Sequence, residues 1–126
     1  MASQRDVQQR EVRLKVMRLI SSNPELSTRD IAREVGISNG SAYYVLTALV
    51  EKGFVKLGSF KQSSRKGQYA YLLTPSGIRE KSLLSHSFIK RKRQEFEDLR
   101  LEIQALEEDV ALGEKTAAAQ SEEKKP

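Results

Sequence analysis

From Ile78 to Val110 the chain runs for 33 residues without a proline or a glycine. No strand is that long. Read as a helix, the segment spans about 50 Å at about 1.5 Å per residue. Its apolar residues Ile89, Phe96, Leu99, Ile103, Leu106 and Val110 are spaced 7, 3, 4, 3 and 4 apart. From Phe96 onward this is the a/d pattern of a coiled coil, which Lys92 breaks one step earlier. The remainder of a 126-residue chain holds too small a core to cover such a stripe. These six residues therefore need a partner and are the candidate interface with it.

The first half of the chain is built from shorter helical patterns. Val12, Val16, Leu19 and Ile20 share one helical face within 7–22, and Ser21-Ser22-Asn23-Pro24 ends the run, because proline disfavours helix in the residue before it. Leu26 sits between breakers, as the stub of a short edge strand would. Ser27-Thr28-Arg29-Asp30 is a capping box with Asp in place of the usual Glu or Gln. It opens a short helix with Ile31, Ala32 and Val35 turned inward, ended by Gly36. Ser38 caps the next helix, 39–52, with Ala42, Val45, Leu46 and Leu49 on its inner face and Gly53 at its end.

The period then changes. Residues 54–60 and 69–74 are rich in aromatic and branched side chains and read as two strands of a hairpin. The basic stretch 61–68 forms its tip. Thr74 or Ser76 caps the long helix, with Pro75 in its first turn. These patterns predict a mainly α chain with a small β-hairpin. Residues 1–10 read as a flexible N-terminus, 11–75 as the first domain, 76–112 as a long C-terminal dimerisation helix, and 113–126 as a disordered tail, since no periodicity continues past Gly113.

Composition narrows the function. The chain has no cysteine and one histidine, His86. Thiolate and multi-histidine metal sites are thereby excluded, as are cysteine nucleophiles. No run of about 18 apolar residues could span a membrane, and 1–10 lacks the apolar stretch of a signal peptide. No glycine-rich phosphate loop, catalytic triad or paired-carboxylate pattern is present. The expectation is a cytoplasmic, nucleoid-associated protein that is not an enzyme and needs no cofactor. The net charge of +5 hides a strong asymmetry. Residues 54–93 hold ten basic side chains against Glu80 alone, whereas 94–126 hold ten acidic against four basic. A basic block of this density is the footprint of a protein that meets a polyanion, or else a solvated basic face.

The predicted order is helix, short helix, turn, helix, hairpin, long helix. Gly36-Ile37-Ser38 is the short glycine-bearing turn of a helix-turn-helix, and the hairpin behind it is a wing. The stretch Leu26-Ser27…Asp30-Ile31-Ala32…Val35-Gly36-Ile37-Ser38…Val45-Leu46…Leu49-Val50-Glu51-Lys52-Gly53-Phe54-Val55 resembles the winged helix-turn-helix of MarR-type regulators. Tyr71-Leu72-Leu73-Thr74-Pro75-Ser76-Gly77-Ile78 and Phe88-Ile89-Lys90-Arg91-Lys92 are similar, more narrowly, to the small MarR-type regulators associated with bacterial exopolysaccharide gene clusters. The resemblance covers about residues 10–110. It implies a homodimeric transcription factor on double-stranded DNA, a repressor of exopolysaccharide genes. Many MarR-type proteins also bind a small effector, but no residue set here names one.

The residues themselves support a DNA contact. With its inner face committed to the core, the third helix leaves Asn39, Gly40, Ser41, Tyr43, Tyr44 and Thr47 facing out, and Ser38 stands at its start. Asn39 can pair bidentately with adenine in the major groove. Gly40 lets backbone approach, and the tyrosines offer hydroxyls to phosphate and rings to thymine methyls. Each tyrosine has a second reading, packing on the wing or on the first helix. The wider MarR group often carries arginine where this chain has Asn39 and Tyr44. Thr28 and Arg29 open the short helix, whose N-terminal amides suit a phosphate; Ser27 there is a plain cap. Lys61, Arg65 and Lys66 form the wing tip, with Arg65 directed at a flanking minor groove. The run 90–93 (Lys-Arg-Lys-Arg) has three readings: a DNA-backbone contact, a clamp on the acidic segment of a partner helix, or a solvated, ion-paired face. His86 reads as an ordinary helix residue. A pseudo-palindromic operator is the expected target. The competing function classes are a winged-helix protein-interaction adaptor and a nonspecific nucleoid-type DNA binder.

Overall fold

The computed structural model describes residues 3–59 and 69–123. The elements are α1 (Gln4–Ser22), α2 (Thr28–Val35), α3 (Asn39–Glu51), β1 (Val55–Ser59), β2 (Tyr69–Leu73) and α4 (Pro75–Glu123). The order is the predicted one. The chain divides into two compact units, Met1–Phe88 and Ile89–Pro126.

The core of the first unit gathers one face from each helix, and Val55 and Ala70 from the wing. Val16, Met17, Ile31, Leu49 and Val55 are its largest fully buried side chains, and each contributes on the order of 2 kcal/mol by leaving water. Leu14 and Ile20 of α1, Leu46 of α3 and Leu84 of α4 join them, with Val12, Leu19, Val35 and Val45 half-buried around them. Spacing alone pointed to Val12 and Leu19 and passed over Leu14 and Met17. The α1 apolar residues cover more than half the helix circumference, so only the packing of α2 and the wing selects the innermost four.

The helix-turn-helix is held by local chemistry. Ser27 Oγ accepts from Asp30 N at 3.1 Å, and Ser27 N donates to Asp30 Oδ2 at 3.1 Å, closing the reciprocal box. Gly36 then adopts φ +82°, the left-handed conformation that ends a helix and that side-chain-bearing residues resist. Ile37 N reaches back to Ala32 O at 3.0 Å. The Ser27 backbone amide, followed by the Ser27 hydroxyl and Arg33, holds the Asp30 carboxyl below its ordinary 3.8. A depressed acid stabilises the fold above its ordinary range and loses that contribution as pH falls through the folded value. Ser27→Ala is therefore expected to lower stability by about 1 kcal/mol. It should also flatten the acid limb of a thermal-unfolding series below about pH 4.

β1 and β2 pair antiparallel, with Val55 opposite Leu73 and Leu57 opposite Tyr71. Among the described residues no strand forms at Leu26. The contact there is one hydrogen bond from Tyr71 N to Pro24 O at 3.3 Å, and Pro24 itself has no amide to extend a ladder. Thr74, not Ser76, caps α4: its Oγ1 accepts from Gly77 N at 3.0 Å. Both hydroxyls also donate to Gly53 O, at 2.5 Å from Thr74 and 3.0 Å from Ser76. The start of α4 is thus tied to the end of α3.

Three expected boundaries differ. Residues 4–10 are helical, not flexible, because Ser3 accepts from Asp6 N at 3.2 Å and Asp6 sits in the first turn, where negative charge suits the helix dipole. The first unit extends past residue 75 to Phe88, because Leu84 of α4 is buried in its core and Glu80 bridges Arg13 of α1 at 3.9 Å. The segment 113–123 is helical, not disordered. A lone glycine costs a helix about 1 kcal/mol, which the strong helix former alanine at 117–119 offsets.

Candidate nucleic-acid interface

The exposed face of α3 is set by what its inner face buries. Ala42, Leu46 and Leu49 are buried, and Val45 is half-buried. The helical period then brings Asn39, Gly40, Tyr43, Tyr44 and the half-buried Thr47 to the outside, at spacings of three and four. Tyr43 is 66% and Tyr44 73% exposed. Tyr43 is therefore not packed away on the wing or on α1. Tyr44 stands on the lip of a groove of about 670 Å³ between α1 and α3, beside Gln9, Val12 and Arg13. It faces the first helix without being buried by it.

The N-terminus of α3 is a compact donor site. Ser38 Oγ accepts from Ser41 N at 3.1 Å and donates to Ser41 Oγ at 2.9 Å. The Ser38 hydroxyl is thus spent on the cap. Asn39 and Gly40 are exposed, and the first amides of a helix have no intrahelical acceptor. Together with the dipole, they favour an anion at this end. A side chain at Gly40 would meet nothing within 4 Å, so the glycine is not required by packing.

At the start of α2, Arg29 is exposed, but Thr28 is half-buried. The Thr28 hydroxyl shares a 2.9 Å hydrogen bond with Tyr71 OH. That contact joins the helix-turn-helix to the wing and turns Thr28 from the phosphate role expected of it toward a structural one. Tyr71 went unmarked in the sequence because an aromatic residue in a strand gives no sign of where its hydroxyl will land. The wing-tip residues Lys61, Arg65 and Lys66 lie outside the described residues. Among the described residues no group of three His, Asp or Glu side chains could hold a metal ion. No described helix is long and apolar enough to cross a membrane.

In the second unit the six residues of the apolar stripe are all exposed, from 47% for Ile103 to 68% for Phe96. The basic run is partly neutralised within its own helix. Glu95 lies 3.6 Å from Arg91 and 3.1 Å from Lys92.

Residues 9–56 match the family described as winged helix-turn-helix DNA-binding. The fold defines the class: a winged helix-turn-helix, mainly helical, with a two-stranded wing and a long C-terminal helix, as the sequence patterns predicted. Solved structures of MarR-type regulators share this fold. The chain is similar to the MarR/EmrR family transcriptional regulator from Acinetobacter sp. ADP1, with 21% identity, TM-score 0.59, and coverage of 78% of this chain and 73% of that one. It is similar to the PcaV transcriptional regulator from Streptomyces coelicolor, with 20% identity, TM-score 0.60, and coverage of 86% and 79%. It is also similar to MepR of S. aureus in a MepR–DNA complex, with 19% identity, TM-score 0.56, and coverage of 67% and 59%. No curated protein matches the chain in sequence.

Proposed function

We propose that this protein is a MarR-type transcriptional regulator that binds double-stranded DNA as a homodimer and represses transcription, with exopolysaccharide genes as its target. The observation that carries the reading is the solvent-facing side of α3. Asn39, Tyr43 and Thr47 stand in one row behind a capped, anion-attracting N-terminus, on a domain that matches DNA-binding winged helices. A structural neighbour of the same fold is described in complex with DNA. In this reading α3 enters the major groove and Asn39 reads a base edge. Arg29 meets backbone phosphate, and the wing residues Lys61, Arg65 and Lys66 lie along the flanking minor groove. The two copies associate through α4, aided by the first helix, and burial of Ile89, Phe96, Leu99, Ile103, Leu106 and Val110 accounts for the apolar stripe. Such a regulator acts in the cytoplasm, at the nucleoid.

Selection from a randomised duplex library at about 0.15 M salt tests the reading. The expected product is a two-fold symmetric motif with half-sites about 10 bp apart. Salt-sensitive retention without an enriched motif would identify a nonspecific nucleoid-type binder. No retention would leave an interaction adaptor. Within the motif, Asn39→Ala is expected to relax preference at one position per half-site, at about 1–3 kcal/mol. Arg65→Ala and Lys66→Ala should weaken all sites alike and reduce the salt slope by about one unit per lost phosphate contact. Gly40→Ala separates folding from binding. It should hold or raise stability by about 0.5–1 kcal/mol, because the site is open, while lowering DNA affinity.

A further inference from the structure

We infer that two copies of the chain pair through α4 as an antiparallel coiled coil, with Leu99 of each copy packed against Val110 of the other. The inference rests on the homodimer reading above and specifies its geometry.

The heptad places Ile89, Phe96, Ile103, Val110 and Ala117 at a, and Lys92, Leu99, Leu106 and Gly113 at d. A parallel, in-register pair stacks every layer on its own copy. Lys92 would then face Lys92 across the seam, setting two ammonium groups together. Gly113 would face Gly113 and leave a void where the seam needs side chains. The flanks are no better. Parallel pairing joins each g position to the e position of the following heptad, which sets Glu102 beside Glu107 and Asp109 beside Glu114. Only Glu95 beside Arg100 attracts.

Antiparallel pairing sets a against d, e against e and g against g. With Leu99 opposite Val110, Ile103 lies opposite Leu106 and Phe96 opposite Gly113, so the largest seam residue meets the smallest. Lys92 lies opposite Ala117, where its stem can cross the seam and its ammonium can reach solvent. Arg93 then borders Glu114 and Arg100 borders Glu107, leaving one like-charged pair, Glu102 with Asp109. Sliding the register by a heptad toward residue 89 brings Arg100 against Arg100 and Glu102 against Glu102. Charge thus selects both direction and register.

The relief of the same face fits this pairing. A shallow apolar groove of about 320 Å³ is lined by Ile103, Leu106, Val110 and Ala111 and rimmed by Glu107 and Glu114. Its complement is an apolar ridge edged with cations. Phe96 and Leu99, 68% and 54% exposed and flanked by Arg93 and Arg100, are that ridge on the same helix. Arg100 bonds Glu97 through two of its nitrogens, and a guanidinium has five N–H donors to share.

The chain lacks cysteine, so introduced thiols report without background. A nitroxide on Lys90→Cys of the full chain measures direction. Antiparallel pairing places the two labels about 45 Å apart, since residue 90 faces residue 119 and the helix rises about 1.5 Å per residue. A label separation under about 20 Å would establish a parallel pair, overturning the inference and leaving the dimer intact. Oxidative trapping measures register. Leu99→Cys with Val110→Cys should yield a covalent dimer in most molecules, and either change alone should yield little. Efficient self-linking of Leu99→Cys would also overturn the inference. A monomer in sedimentation of the unmodified chain would remove the dimer reading and this geometry together.

Discussion

A Leu99→Glu/Leu106→Glu double variant is expected to sediment at the monomer mass of 14.3 kDa and to lose about 10²- to 10⁴-fold in affinity for a two-half-site duplex. The loss follows from valence. A dimer binds its second half-site at a high effective concentration, and a monomer forfeits that gain without losing any contact of its own. Affinity for an isolated half-site should change little, and comparing the two duplexes separates lost pairing from damaged recognition. The residues suit this test because both lie on the exposed stripe of the second unit, Leu99 54% and Leu106 57% exposed. The melting of the first unit should hold, since its core draws on α4 only as far as Leu84 and Phe88. If the double variant remains dimeric, the α4 stripe is not what joins the copies.

Gly77→Ala is expected to destabilise the first unit by about 3 kcal/mol, near the upper end for overpacking, and to lower the melting temperature by about 15 °C. A Cβ at residue 77 would stand 2.0 Å from the carbonyl oxygen of Phe54 and 2.9 Å from its carbonyl carbon. Both are backbone atoms, so no rotamer change relieves the overlap. Either the first turn of α4 or the chain between α3 and β1 must move. Movement strains the hydrogen bonds from Thr74 and Ser76 to Gly53 O and from Thr74 N to Phe54 O. Gly40→Ala is the matched control, a glycine removed from a helix with open space beyond it. The Gly77→Ala melt should fall, and the Gly40→Ala melt should hold or rise. A Gly77→Ala melt within about 2 °C of the parent would refute the close approach.

The element order, the capping box at Ser27 and Asp30, the glycine-ended α2, the Ser38 cap and the inner face of α3 were all legible in the sequence. Each depends on residues within about four positions of one another, which is the range over which a helix makes its hydrogen bonds and aligns a face. The outward row of α3 was legible for the same reason, being what remains once the apolar face is assigned. The α4 heptad was legible as a pattern, and its spacing carries charge information that reaches beyond one chain.

Tertiary structure decided what depends on distant residues meeting. Leu14 and Met17 are innermost because α2 and the wing close over that side of α1. Thr28 turned from a phosphate candidate into a structural partner only when β2 delivered the Tyr71 hydroxyl, 43 positions away in sequence, to within 2.9 Å. Gly77 looked like one small residue among turn formers until the chain leaving α3 crossed it at Phe54. The compact unit reached Phe88 rather than residue 75 because Leu84 found a core to enter. Local pattern determines which elements form and which face of each is apolar. Only packing determines which of several suitable residues is covered, because that choice minimises exposed apolar area and unpaired polar groups over the whole unit at once.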